Sequence, residues 1–162
     1  MKRFAFLSLL FVSNLASYAT PPPLPEPLDE AFSRFRKSYP AQCEDLFREI
    51  QKRVPQSKDG KSKALFEGLE RYLGNLSKDD IPRLERAISD KTKPKELLLA
   101  LNFLVTDIVG FRRSLDEFVI EASAGKSLLI DDVLLSKLRD FWKEEYHYSL
   151  RFRDDAMALG QK

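Results

Sequence analysis

The sequence predicts an all-α fold, a helical bundle with two long antiparallel C-terminal helices and about four shorter N-terminal helices. Three observations lead to this prediction. From Leu28 onward, apolar residues recur nearly everywhere at the three- and four-residue spacing of an amphipathic helix. Proline and glycine divide that pattern into short and long stretches. Strand-like alternation is absent, since the short apolar run at 128–130 leads directly into helical periodicity.

The first nineteen residues have the composition of a secretory signal peptide. Lys2 and Arg3 precede an apolar stretch, and the small residues Ser17 and Ala19 suit a signal peptidase. The apolar stretch is shorter than the roughly 20 residues that a membrane span requires. We therefore expect 1–19 to be cleaved, which predicts an exported protein, periplasmic or extracellular, with no stable membrane span after cleavage. A retained N-terminal anchor is the alternative.

The rest of the chain divides into a Pro-rich leader at 20–27 and a single helical domain at 28–162. Five of the eight leader residues are proline, which favours an extended polyproline II spacer. A chain of this length with 43% hydrophobic residues can bury one sizeable core. Cys43 is the only cysteine, so no intramolecular disulfide forms, and we interpret it as a core residue. An intermolecular disulfide is the alternative.

The N-terminal half of the domain is predicted to form four short helices. Pro40 separates the first two, because proline disrupts a helix interior, and Pro55 ends the second. After a loop at 56–61, a third helix ends at Gly74 and Asn75. Ser77 is then expected to cap a fourth helix that ends near residue 90.

The C-terminal half is predicted to be a helical hairpin. Pro94 begins the first long helix, whose apolar pattern continues to Ala122. The chain turns near Gly125, and Asp131 and Asp132 introduce the second long helix, since acidic residues favour a helix N-terminus.

Two charged residues fall on the apolar stripes of this hairpin. At about 100° per residue, Arg112 lies in the middle of the first stripe and Glu145 lies within the second. Antiparallel pairing around Gly125 brings them within about one helical turn of each other. We predict an Arg112–Glu145 contact, with Asp116 as a second partner of the arginine. This is either a structural buried ion pair or a pocket in which the guanidinium binds a small anionic ligand.

Trp142 and Tyr146 lie on a second flank of the apolar arc of the last helix. A wide apolar arc has two explanations. Either this helix lies centrally beneath the shorter helices, which the arc favours, or Trp142 and Tyr146 form a surface for a protein partner.

The sequence contains no complete catalytic or metal-binding motif. An E-x-x-H at 144–147 occurs once, whereas a helical di-metal site uses two, and the single histidine, His147, faces outward. Two Gly-Lys-Ser triplets lack the first glycine of a phosphate-binding loop, since Pro55 and Ile120 occupy its place. We expect no enzyme activity, cofactor or metal. An enzyme using carboxylates alone, for example Glu145 with Asp116, is the remaining catalytic alternative.

The charge balance argues against nucleic-acid binding. Of 27 Lys and Arg residues, Lys2 and Arg3 leave with the signal peptide, and none of the 25 acidic residues precedes Glu26, so 25 of each sign remain. Nucleic-acid binders carry a clustered positive surplus to neutralise phosphates. We therefore expect an exported protein that acts by binding, namely a protein-interaction module. The alternative is a bundle that binds a small anionic ligand at Arg112 and Glu145.

Overall fold

The computed structural model describes residues 26–53, 60–90, 94–125, 128 and 130–161. All regular structure in these ranges is helical. The elements are α1 (Leu28–Arg53), α2 (Gly60–Asn75), a π-helical turn (Leu76–Asp80), α3 (Ile81–Ser89), α4 (Pro94–Ala124) and α5 (Asp132–Gly160). The predicted all-α class and the two long C-terminal helices are confirmed. The predicted signal peptide lies outside the described residues, as does most of the Pro-rich leader.

The prediction of two short helices on either side of Pro40 is wrong, because α1 is one helix of 26 residues with Pro40 inside it. An interior proline removes a backbone hydrogen bond and costs about 3 kcal/mol. Phe35, Tyr39 and Cys43 continue one stripe across the proline at four-residue spacing, and all three are fully buried. Burial of this stripe offsets the local cost, so packing keeps the helix continuous.

The predicted break at Gly74 and Asn75, with Ser77 as a helix cap, is also wrong. The backbone of Asn75 (φ −62°, ψ −49°) is right-handed helical, and α2 passes through the π-helical turn into α3. A capping residue requires non-helical backbone, which Ser77 lacks. The N-terminal half therefore has two continuous helical segments, α1 and α2–α3, in place of four short helices. The turn buries Leu76 and Asp80, which lie at the four-residue spacing of a single helix face.

The ends of the two long helices are close to those predicted. Helix α4 begins at Pro94, and Asp131 caps α5 with extended backbone. The Asp131 carboxylate accepts a hydrogen bond from the Leu134 amide at 2.9 Å.

Helix α4, rather than α5, takes the central position. It packs against α5 on one side and against α2, the π-helical turn and α3 on the other, while α1 packs mainly on α5. The ring centres of Phe118 and Phe66 of α2 lie 4.6 Å apart, and those of Phe111 and Phe141 of α5 lie 5.5 Å apart. Gly110 permits close approach of Tyr72, whose ring would lie 2.5 Å from a Cβ atom at that position. Within the ranges described, no helix is both long and apolar enough to cross a membrane.

Candidate functional site

The structure brings four of the predicted site residues into one network between α4 and α5. Arg112 Nη1 donates to Glu145 Oε2 at 3.0 Å, and Arg112 Nε lies 3.5 Å from Asp116 Oδ2. Trp142 Nε1 donates to Asp116 Oδ1 at 2.9 Å. Tyr146, the fifth predicted residue, follows Glu145 in the chain and is 63% exposed. The contact itself was therefore predictable from the helix phases, whereas its role remains a prediction.

The two partners of the ion pair differ in burial. The side chain of Glu145 is 1% exposed and that of Arg112 is 44% exposed, so the expectation that Arg112 faces the core is wrong. The buried arc of α4 centres on Leu104, Phe111 and Leu115 because this helix packs on two sides. Arg112 lies at the margin of that arc, where its guanidinium reaches a buried carboxylate and still contacts water.

Helix α1 places two further polar side chains near this network. Tyr39 is fully buried and, among the described residues, its hydroxyl has no hydrogen-bond partner. Burial raises the pKa of Tyr39, the charge of Glu145 raises it further, and the charge of Arg112 opposes them. Burial also raises the pKa of the Cys43 thiol. Cys43 is thus a protonated core residue, in agreement with the sequence interpretation, and is unsuited to nucleophilic chemistry.

The charges of the network bear on what it could bind. One guanidinium faces the two carboxylates of Asp116 and Glu145, which together outweigh its positive charge. An incoming carboxylate or phosphate would compete with both for the same donors. The arrangement therefore suits a structural ion pair better than a receptor for an anion.

Metal chemistry finds little support in the described part of the chain. No group of three or more His, Cys, Asp or Glu side chains lies close enough there to hold a metal ion. His147 is exposed, as its position in the helix predicted.

A second buried carboxyl group, that of Asp80, was missed by sequence reasoning. Asp80 is 2% exposed at the end of the π-helical turn, and its Oδ2 atom is buried with no hydrogen-bond partner. Burial raises its pKa to about 7, and the neighbouring Asp107 of α4 raises it as well. Arg83 Nη1 lies 3.9 Å from Asp80 Oδ1, and the Arg83 guanidinium lies 4.3 Å above the ring of Phe103. The four-residue spacing of Leu76, Asp80 and Leu84 was a usable signal, which the assumed Ser77 cap concealed.

Three open depressions on the surface lie away from the ion pair. One of about 290 Å³ lies between α3 and α4 beside Arg86 and Leu99, and one of about 390 Å³ lies between α2 and α4 beside Tyr72 and Gly110. The third, of about 160 Å³, lies between α1 and α3. Neither Arg112 nor Glu145 lines any of the three.

Comparison with protein-family models, with curated proteins and with solved structures finds no significant match to this chain.

Proposed function

We propose that this chain is an exported helical protein that acts by binding another protein through the α4–α5 face around Tyr146 and Arg112. The observation that carries the proposal is Tyr146, an aromatic side chain that is 63% exposed and directly follows Glu145, the partner of the half-exposed Arg112. Tyrosine, tryptophan and arginine dominate the binding energy of protein interfaces.

The network beneath this face supports the proposal because it holds the surface in place before a partner arrives. Trp142 is fixed by its hydrogen bond to Asp116, and Arg112 is fixed by Asp116 and Glu145. A side chain that is already ordered loses less conformational entropy on binding, so more of the contact energy appears as affinity.

A further apolar side chain is exposed on α5. Met157 lies three turns after Tyr146 on the same flank of the helix and is 57% exposed. Exposed apolar side chains that share a face, rather than being scattered singly, are typical of an interaction surface.

The part of the proposal that concerns export rests on the leader at 1–19. Expression of the full chain in a bacterial host, followed by separation of the periplasmic fraction and N-terminal sequencing, tests it directly. We expect the mature protein to begin at Thr20 in the exported fraction. Full-length protein retained at the membrane or in the cytosol would contradict export.

The binding surface is tested by replacing Tyr146. Affinity capture from the native cell envelope identifies the partner, and binding is then measured with both purified proteins. We expect Tyr146→Ala to weaken binding about thirtyfold, which corresponds to a hot-spot loss of about 2 kcal/mol. His147→Ala is the matched control, because His147 is the next residue, is exposed and packs its ring against Tyr148. Equal affinities for the two variants would rule out this face.

The anionic-ligand alternative predicts a different result. In that case Glu145→Gln would give a folded protein with altered ligand binding, because it removes a competing carboxylate. A serious loss of folding would instead assign Glu145 to the structure.

A further inference from the structure

The π-helical turn and α4 bring the buried carboxyl group of Asp80 next to that of Asp107, which is partly exposed. Asp80 is 2% exposed and its Oδ2 atom has no donor, while the carboxyl group of Asp107 lies within hydrogen-bonding reach. Two ionised carboxylates in this position would repel each other and would leave Oδ2 unsatisfied. A single proton between them removes the repulsion and supplies the missing hydrogen bond.

The charges around the pair come from the elements packed against it. Arg83 of α3 lies 3.9 Å from Asp80 and lowers its pKa, whereas the negative charge of Asp79 in the π-helical turn raises it. On α2, the charged residues nearest to Asp80 in the sequence are Glu70 and Arg71, and both are exposed. The guanidinium carbon of Arg71 lies 5.2 Å from the centre of the Tyr72 ring. Burial raises the pKa of Asp80 to about 7, and the hydrogen bond and charge of Asp107 act in the same direction.

Arg83 lies between two competing partners. Its Nη1 atom is 3.9 Å from Asp80 Oδ1, which is too long for a hydrogen bond, and its guanidinium carbon is 4.3 Å above the Phe103 ring. Phe103 and Asp107 lie one turn apart on α4, so a small shift of Arg83 exchanges one partner for the other. The Arg83 side chain is 39% exposed, which leaves room for that shift.

We propose that Asp80 and Asp107 share one proton, and that loss of this proton draws Arg83 from the Phe103 ring onto the carboxylates. The pair of acids then carries two negative charges, and a charge-assisted hydrogen bond to Arg83 replaces the weaker contact with the ring. Phe103 is already 45% exposed beside Leu99, which is 54% exposed. Raising the pH therefore uncovers an apolar patch made of Leu99 and Phe103. This device does not depend on the binding function proposed above.

The test is an NMR titration of the folded chain from pH 4 to pH 9. The side-chain carboxyl carbons are followed together with the ring protons of Phe103 and the Nε proton of Arg83. We expect one carboxyl group of the pair to titrate near neutral pH, and the Phe103 and Arg83 resonances to move with the same midpoint. Asp80→Asn should abolish that shared transition, whereas Asp79→Asn, in the exposed neighbour, should preserve it.

Two outcomes would overturn the proposal. One is titration of both carboxyl groups below pH 5 in the native protein, a measurement that requires no variant. The other is a Phe103 transition that persists unchanged in Asp80→Asn. If that variant fails to fold, Asp107→Asn serves as the replacement, and it should lower the midpoint of the shared transition because it removes the second carboxyl group.

Discussion

Two buried carboxyl groups in this molecule have nearly the same exposure and opposite surroundings. Glu145 is 1% exposed and Asp80 is 2% exposed. Glu145 has a guanidinium at 3.0 Å, whereas Asp80 has one at 3.9 Å that lies over a phenylalanine ring, and a second carboxyl group beside it. Burial alone thus does not determine the charge of an interior acid, because the nearest donor decides whether the ionised form is satisfied.

The largest expected effect comes from removing the partner of Glu145. Arg112→Met should lower the free energy of unfolding by about 3 kcal/mol, since it leaves a buried carboxylate without its counter-ion. Arg113→Met, at the exposed neighbouring position, should change it by less than about 0.5 kcal/mol. Urea unfolding followed by circular dichroism measures both.

A double variant sharpens this first test. Combining Arg112→Met with Glu145→Leu removes both charges, and stability should recover most of the loss because an apolar pair often replaces a buried ion pair at little cost. If Arg112→Met proves no worse than Arg113→Met, the pair is not structural and the ligand-binding interpretation gains support.

The second expected effect concerns Asp80 and depends on pH. Its pKa is raised to about 7 in the folded state, from 3.8 in the unfolded chain, so the folded state holds the proton more tightly. This contribution to stability is complete below about pH 4 and is lost as the pH rises to 7. Between pH 5 and pH 7 we expect the free energy of unfolding to fall by about 2 kcal/mol from this group, at 1.36 kcal/mol per pH unit.

Asp80→Asn isolates that contribution, because an amide keeps the shape of the side chain and does not titrate. Thermal unfolding at several pH values should show that the variant loses less stability than the native protein between pH 5 and pH 7. Parallel curves for the two proteins would mean that another group is responsible for the decline.

The two acids also differ in how far sequence could predict their surroundings. The Arg112–Glu145 contact follows from helical periodicity and from a short connection near Gly125, which together fix the register of two antiparallel helices. The surroundings of Asp80 depend on a π-helical turn and on its packing against α4. The neighbouring carboxyl group there, that of Asp107, comes 27 positions later in the chain. No local pattern encodes that pairing.

The errors in helix boundaries have a related cause. Pro40 and Gly74 were expected to end helices on local propensity, and in the structure both lie within continuous helical segments. Buried side chains on both sides of Pro40 outweigh its local cost, and the exposure of Arg112 reflects packing of α4 on two sides. Propensity acts locally, whereas these outcomes are decided by tertiary contacts.

The smallest expected effect separates the network around Arg112 from its exposed neighbour Tyr146. Trp142→Phe keeps most of the apolar ring and removes the 2.9 Å hydrogen bond to Asp116. The free energy of unfolding should therefore fall by about 1 kcal/mol. Tyr146→Phe removes a hydroxyl from a side chain that is 63% exposed, and stability should remain within about 0.5 kcal/mol of the native value. Urea unfolding compares the two variants. Equal losses would mean that the hydrogen bond between Trp142 and Asp116 adds nothing measurable to stability, and that Trp142 contributes only its ring.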